Sequence, residues 1–249
     1  MDAFTWTVGL WIAVAVVTLP VLLKVRAPYG RHTTAGWGPT LPNHWGWFWM
    51  ELPALLVFPL MVVLGPREQG PLTWLLVGLW TLHYINRTLI FPFRLRTSGK
   101  RMPVLIVLSA VVFNAVNGGL NGWWLGHIAP PDRPFPDALA GIGALLFFAG
   151  MGINRWADAR LIALRAAGTG YQVPRGGLFD RISCPNHFGE ILEWTGFALA
   201  AWSLPALSFA VWTFANLAPR AHNHHAWYRE RSADYPREFD ELWGRGGQA

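Results

Sequence analysis

Long uncharged stretches alternate with short basic loops along this chain. No Asp, Glu, Lys or Arg occurs in residues 3–23, 52–66, 70–86, 102–125, 138–154 or 194–219. About 20 consecutive apolar residues cross a bilayer core as a helix. The recurrence therefore predicts an all-α integral membrane protein, a single membrane domain over residues 1–249 with little mass outside the bilayer. Seven transmembrane helices are predicted, near 4–24, 44–65, 70–92, 102–124, 136–166, 186–203 and 205–230. Only Ser203-Leu204-Pro205 separates the last two. Proline ends or kinks the helix before it; a kinked single span would give six crossings, but 186–230 is about 45 residues and one crossing uses roughly 20, so a tight hairpin is the favoured reading.

Charge orients these helices. The loop near 24–43 carries Lys24, Arg26 and Arg31, and the loop near 93–101 carries Arg94, Arg96, Lys100 and Arg101. The loop near 155–185 carries Arg155, Arg160, Arg165, Arg175 and Arg181, whereas the alternate loops hold only Arg67 and Arg133 beside acidic residues. Basic loops stay in the cytosol, which puts the N-terminus outside and the C-terminus inside. The first stretch follows Asp2 rather than basic residues and lacks a small-residue cleavage site, so it is read as a membrane helix and not a signal peptide.

Composition agrees. The chain is 53% hydrophobic and only 14% charged, against about 25% charged in soluble domains. The net charge of +6 is explained by loop arginines, so no nucleic-acid partner is expected, and no obligate protein partner is evident. Sixteen Trp suit the membrane interface. The single cysteine, Cys184, excludes an intrachain disulfide and is read as a small buried residue. Arg outnumbers Lys by 18 to 2, which points to a GC-rich bacterial genome and hence an inner membrane.

Against this apolar background the polar residues gather at one depth. Glu51 lies about 10 Å into the second helix from its cytosolic end, at 1.5 Å per residue. His83, Tyr84, Asn86 and Arg87 occupy the cytosolic third of the third helix, and Asn154, Asp158 and Arg165 that of the fifth. Asn186, His187, Glu190 and Glu193 enter on the sixth from the same side. An ionisable residue inside a membrane is costly and marks function by default. Singly, each has a structural alternative: Glu51 as a hydrogen-bonded carboxyl, His83 as an interfacial residue, Glu193 and Trp194 as helix packing. Agreement in depth among four helices points to a site.

Asn114, Asn117 and Asn121 share one face of the fourth helix, either as interhelical hydrogen bonders or as the lining of a ligand cavity. His222-Asn223-His224-His225 lacks HxxxH or HExxH spacing and an acidic third ligand. No metal is expected, and contacts to an anion or cofactor beside Arg220 are the better reading. GxGxxG and Walker loops are absent, so a nucleotide would bind by another route, with the arginines between 155 and 181 available for phosphates.

Particular strings carry a resemblance. Tyr171-Gln172-Val173-Pro174-Arg175-Gly176-Gly177-Leu178-Phe179 precedes Asn186-His187-Phe188-Gly189-Glu190-Ile191-Leu192-Glu193-Trp194. Trp202-Ser203-Leu204-Pro205-Ala206, then Arg220-Ala221-His222-Asn223-His224-His225-Ala226-Trp227-Tyr228, then Asp234-Tyr235-Pro236 follow in order. Upstream stand Glu51-Leu52-Pro53, Leu82-His83-Tyr84 with Arg87-Thr88, and Gly150-Met151-Gly152-Ile153-Asn154 with Asp158. Over roughly residues 45–240 the chain resembles the steroid 5α-reductase family. The resemblance implies a seven-helix membrane enzyme that uses NADPH to reduce the Δ4 double bond of 3-oxo steroids. Glu51 and Tyr84 match the pair that holds the 3-keto oxygen. Asn154, Asp158, Arg165, Tyr171, Asn186, Glu190, Arg220, His224 and Tyr228 match positions lining the NADPH site, with Arg87 and Trp194 joining them. Met50 and Asn86 depart from the animal enzymes, which have Gln and His there, and both lie near the expected substrate. Helices 1 to 4 are expected to form the cavity for a steroid or steroid-like lipid, and helices 5 to 7 with the cytosolic loops the NADPH site.

Conjugate reduction of an enone places negative charge on its carbonyl oxygen, and donors aimed there stabilise the transition state. Tyr84 can donate through its phenol, and Glu51 can donate when protonated. Other readings share parts of the pattern: an isoprenylcysteine-type methyltransferase using S-adenosylmethionine, a reductase of another lipid enone, enoyl or polyprenol substrate, or a transporter with Glu51 and Glu190 as proton relays.

Overall fold

A computed structural model of the chain describes residues 2–25, 36–95, 99–167, 172–232 and 235. Arg26, Arg31 and Arg96 of the basic loops, together with Tyr171, Asp234 and Pro236, lie outside the described residues.

The charge-free stretches are helical. The long helices are α1 (Ala3–Lys24), α2 (Asn43–Val63), α3 (Pro71–Ile85), α5 (Val104–Trp123), α6 (Ala138–Ala167), α7 (Pro185–Ala201) and α8 (Leu204–Arg231). After α3 a π-helical turn, Asn86–Ile90, runs on into a one-turn α4, Phe91–Arg94. A second π turn, Trp124–Ile128, extends α5. Seven long helices thus stand where seven were expected. Among the described residues, four are long and apolar enough to cross a membrane: α1, α2, α5 with its π turn, and α6. Only 11% to 33% of each such window is buried, so their apolar side chains mostly face outward. In water that would be unfavourable; in lipid it is expected, and the chain is an integral membrane protein.

The hairpin between the last two helices is sharp. Trp202 adopts a left-handed conformation (φ 46°, ψ 49°) and ends α7, and the Ser203 hydroxyl accepts the Ala206 amide at 3.4 Å to start α8. Short strands β1 (Thr40–Pro42) and β2 (Arg101–Pro103) pair antiparallel, an element that three-residue runs do not reveal in sequence. They clip the chain entering α2 to the chain entering α5, and Arg101 reinforces the clip by donating to the Thr40 hydroxyl at 2.8 Å and carbonyl at 2.6 Å.

The core is aromatic. Trp80 is fully buried, stacks on Phe58 at 4.4 Å, meets Phe209 at 5.0 Å and Trp194 at 5.1 Å, and donates its indole N–H to the Ala54 carbonyl at 2.8 Å. α6 and α7 approach so closely that a Cβ at Gly143, Gly150, Gly189 or Gly196 would stand 2.4–2.6 Å from the opposing backbone. Small residues permit such contact between membrane helices, and here they carry Asn154 and Asp158 on α6 up against Asn186 and Glu190 on α7.

Candidate active site

The polar residues grouped by depth in the sequence converge on a cavity of about 370 Å³ between α2, α3, α5, α7 and α8. α2 supplies Trp47, Met50 and Glu51, α3 supplies His83 and Tyr84, and the π turn supplies Arg87. α5 adds a face spaced by three and four, Ile106, Ala110, Phe113 and Asn114, and α7 adds Glu190 and Trp194. α8 contributes Phe209, Trp212, Thr213, Asn216, Leu217 and Arg220. π turns recur at functional sites; this one has the Phe91 amide bonded to the Asn86 carbonyl and holds Arg87 in the cavity wall.

Arg87 is the hub. Its guanidinium lies 3.9 Å from Glu51, 3.8 Å from Asp158 and 3.9 Å from Glu190, so one cation faces carboxyls from three helices. The rings of Trp47 and Phe91 flank it at 5.0 and 4.9 Å, and cation–π contact fixes its plane. Asn114 holds Glu51 from the far side, donating at 3.2 Å to the Glu51 carboxyl and at 2.6 Å to the Met50 carbonyl. The Tyr84 side chain is buried in the same wall, and among the described residues its hydroxyl makes no hydrogen bond to the protein.

A second group adjoins this one through Glu190. Asn154 donates to the Asn186 carbonyl at 3.0 Å and to Glu190 at 3.3 Å, and Asn186 donates to Asp158 at 3.3 Å. Arg165 follows Asp158 by two turns on α6. Arg220 is in the cavity wall. His224 lies one turn further along α8, with its ring 5.7 Å from His187 and 6.4 Å from Tyr228. Tyr228 packs on Tyr235 at 5.4 Å, beside His225, whose Nδ1 shares a 2.9 Å hydrogen bond with the Ser183 hydroxyl. Burial holds the Tyr235 phenol above its usual range, so it is neutral at physiological pH.

Some expected site residues fall elsewhere. Of the three asparagines on one helix face, Asn114 lines the cavity. Asn117 accepts the Trp11 indole N–H at 3.1 Å, and Asn121 donates to the Asn117 and Pro205 carbonyls at 3.0 and 3.3 Å, so these two tie α1 and α8 to α5. Nor does the apolar wall come from the first four helices alone. α1 contributes no lining residue, while Phe209, Trp212 and Leu217 of α8 do. Sequence reasoning missed that stripe, because a helix apolar on every side does not mark which face lines a cavity. It also missed the pairing of His83 with Glu193, although both had been placed at the same depth.

A buried cluster of acids, amides, arginine and a tyrosine around one cavity, with an aromatic wall beside it, in an integral membrane protein, defines a membrane enzyme. The sequence matches the family described as "3-oxo-5-alpha-steroid 4-dehydrogenase" over residues 100–242. It is 39% identical over 241 residues to the tomato (Solanum lycopersicum) "Steroid 5-alpha-reductase DET2", covering 95% of this chain and 94% of that protein. It is 41% identical over 233 residues to the bovine (Bos taurus) "3-oxo-5-alpha-steroid 4-dehydrogenase 1", covering 90% of each. Identity to the human (Homo sapiens) "3-oxo-5-alpha-steroid 4-dehydrogenase 2" is 38% over 234 residues, covering 92% and 91%. The chain belongs to the 3-oxo-5-alpha-steroid 4-dehydrogenase family, the steroid 5α-reductases.

Proposed function

We propose that this enzyme reduces the Δ4 double bond of 3-oxo-Δ4 steroids to 5α-3-oxo steroids with NADPH, and that Glu51 and Tyr84 hold the 3-keto oxygen. The observation that carries the roles is the Tyr84 hydroxyl, without a hydrogen-bond partner among the described residues, in the wall of a cavity that also presents Glu51 and an aromatic surface. A phenol donates to a carbonyl oxygen and gains most as that oxygen becomes an oxyanion. Glu51 adds a second donor when protonated. Asn114 and Arg87 fix its orientation. The ring system of a steroid is uniformly apolar, and Phe113, Phe209, Trp212 and Leu217 offer it a matching surface.

The second group fits a dinucleotide by the chemistry of its donors. Asn154, Asn186, Asp158 and Glu190 suit carboxamide and ribose hydroxyls, and Arg165 and Arg220 suit phosphates; Arg87 and Trp194 border the reacting end, and His224 and Tyr228 extend the site, to which the family resemblance alone assigns Tyr171. When bound, NADPH supplies a hydride to the β-carbon of the enone. The residues of the chain orient the substrate, exclude water and carry the charge that appears on oxygen. Seven crossings with the N-terminus outside and the cofactor side in the cytosol agree with the basic loops. The arginine-rich, lysine-poor composition supports a bacterial inner membrane.

The test is product identification from purified protein with NADPH and a panel of 3-oxo-Δ4 steroids. Tyr84→Phe removes one oxyanion donor, and kcat is expected to fall on the order of 10²–10³-fold while NADPH still raises the thermal midpoint. A Tyr84→Phe enzyme with normal turnover refutes the assigned role.

A further inference from the structure

Reduction of the enone needs a proton as well as a hydride, and the groups on the oxygen do not deliver it to carbon. Glu193 is fully buried on α7, and His83 on α3 is 5% exposed. His83 Nδ1 and Glu193 Oε1 are 2.8 Å apart, and Glu193 Oε2 has no hydrogen-bond partner among the described residues. The His83 ring is also seated against Tyr84 at 4.9 Å and Trp194 at 4.7 Å. His83 lines the cavity beside Tyr84, and Glu193 sits behind it. With Nδ1 turned to Glu193, Nε2 has no hydrogen-bond partner among the described residues.

An isolated buried carboxylate is costly, and a pair at net zero charge avoids that cost. It does so as carboxylate with imidazolium, or as carboxylic acid donating to a neutral imidazole. In both forms Nε2 carries hydrogen. A net-neutral pair therefore always presents an N–H from the cavity wall, next to the tyrosine assigned to the oxygen. The α-carbon that needs the proton is two bonds from that oxygen.

We infer that His83, held by Glu193, protonates the α-carbon of the substrate. This rests on the reductase reading above. Once hydride has reached the β-carbon, the enolate π pair forms the new C–H bond and the Nε2–H bond breaks, leaving its pair on the ring. Neutral His83 then donates through Nδ1 to the Glu193 carboxylate, and the pair regains its proton from water after product leaves. His83 is thus a catalytic residue and Glu193 a positioning residue.

Glu193→Gln separates this role from packing. Glutamine keeps the shape and can accept from Nδ1–H or donate to Nδ1, but the pair then has no second acidic proton: giving up Nε2–H would leave an imidazolate, so neutral His83 is too weak an acid to protonate carbon. The experiment runs the reduction in D₂O and locates deuterium at the α-carbon by NMR. Wild type should carry deuterium on one face. In Glu193→Gln and His83→Gln, kcat should fall on the order of 10²-fold with steroid KM little changed, and slow protonation by water should spread deuterium over both faces. Wild-type reduction with both variants keeping full kcat and single-face labelling overturns the proposal alone. A wild-type protein that forms no reduced steroid overturns the reductase reading and this proposal with it. If His83→Gln does not fold, the Glu193→Gln labelling decides.

Discussion

Gly189→Ala should injure both stability and catalysis, through an overlap of less than one ångström. A Cβ at Gly189 would stand 2.6 Å from the Asn154 amide nitrogen and from the Gly150 carbonyl oxygen, where ordinary contact begins at 3.4 Å. Both obstacles are backbone, so α6 and α7 must part by the difference, about 0.8 Å. The hydrogen bonds between those helices then lengthen. Asn154 to the Asn186 carbonyl goes from 3.0 Å to about 3.8 Å, and Asn154 to Glu190 from 3.3 Å to about 4.1 Å, both outside hydrogen-bonding range. Overpacking costs about 1–3 kcal/mol and each lost hydrogen bond about 1 kcal/mol. At about 2–4 °C per kcal/mol for a chain of this size, the midpoint in detergent should drop by roughly 6–20 °C. Misplacing a reacting group by this distance costs up to about 10²-fold in turnover, measured well below the new midpoint. Gly152→Ala is the control, since a Cβ there meets nothing within 4 Å. A Gly189→Ala protein with wild-type midpoint and kcat, or a Gly152→Ala protein equally damaged, refutes the reasoning.

Two further outcomes test the frame around the site. Asp132 caps α3 from a distant loop, accepting the Thr73 amide at 2.8 Å and hydroxyl at 2.7 Å; Asp132→Ala should cost about 0.5–2 kcal/mol, read as a lower thermal midpoint, and an unchanged midpoint would contradict the capping role. Trp202 is a non-glycine residue in left-handed geometry with 65% of its surface exposed. Trp202→Gly should therefore be more stable than Trp202→Ala by about 1–2 kcal/mol, and equal midpoints would show that the hairpin is not strained there.

Depth was legible in this sequence and azimuth was not. Where charges are absent, helices follow, and the turn at Ser203-Leu204-Pro205 was visible because proline and serine punctuate an otherwise unbroken apolar run. Glu51, Arg87, Asp158 and Glu190 were grouped by distance along their helices, and the structure has Arg87 within 3.9 Å of all three acids. Which way each helix turns is another matter. In water one apolar face marks the core, but a membrane helix is apolar toward lipid and toward protein alike, so periodicity cannot choose between Phe209 in the cavity wall and Leu207 half exposed beside it. Asn114, Asn117 and Asn121 show the same blindness: one face in sequence divides between the cavity and two neighbouring helices. The π turn at Asn86–Ile90 is a register shift that no residue type announces, although it lies at Arg87. The one azimuthal signal was carried by small residues. Gly143 and Gly150 on α6, and Gly189 and Gly196 on α7, are each seven apart, two helical turns on one face. Such a stripe can bring backbones together only where it faces another stripe. Read that way, the glycines fix the facing sides of α6 and α7, and with them the meeting of Asn154 with Asn186, before any side-chain chemistry is considered.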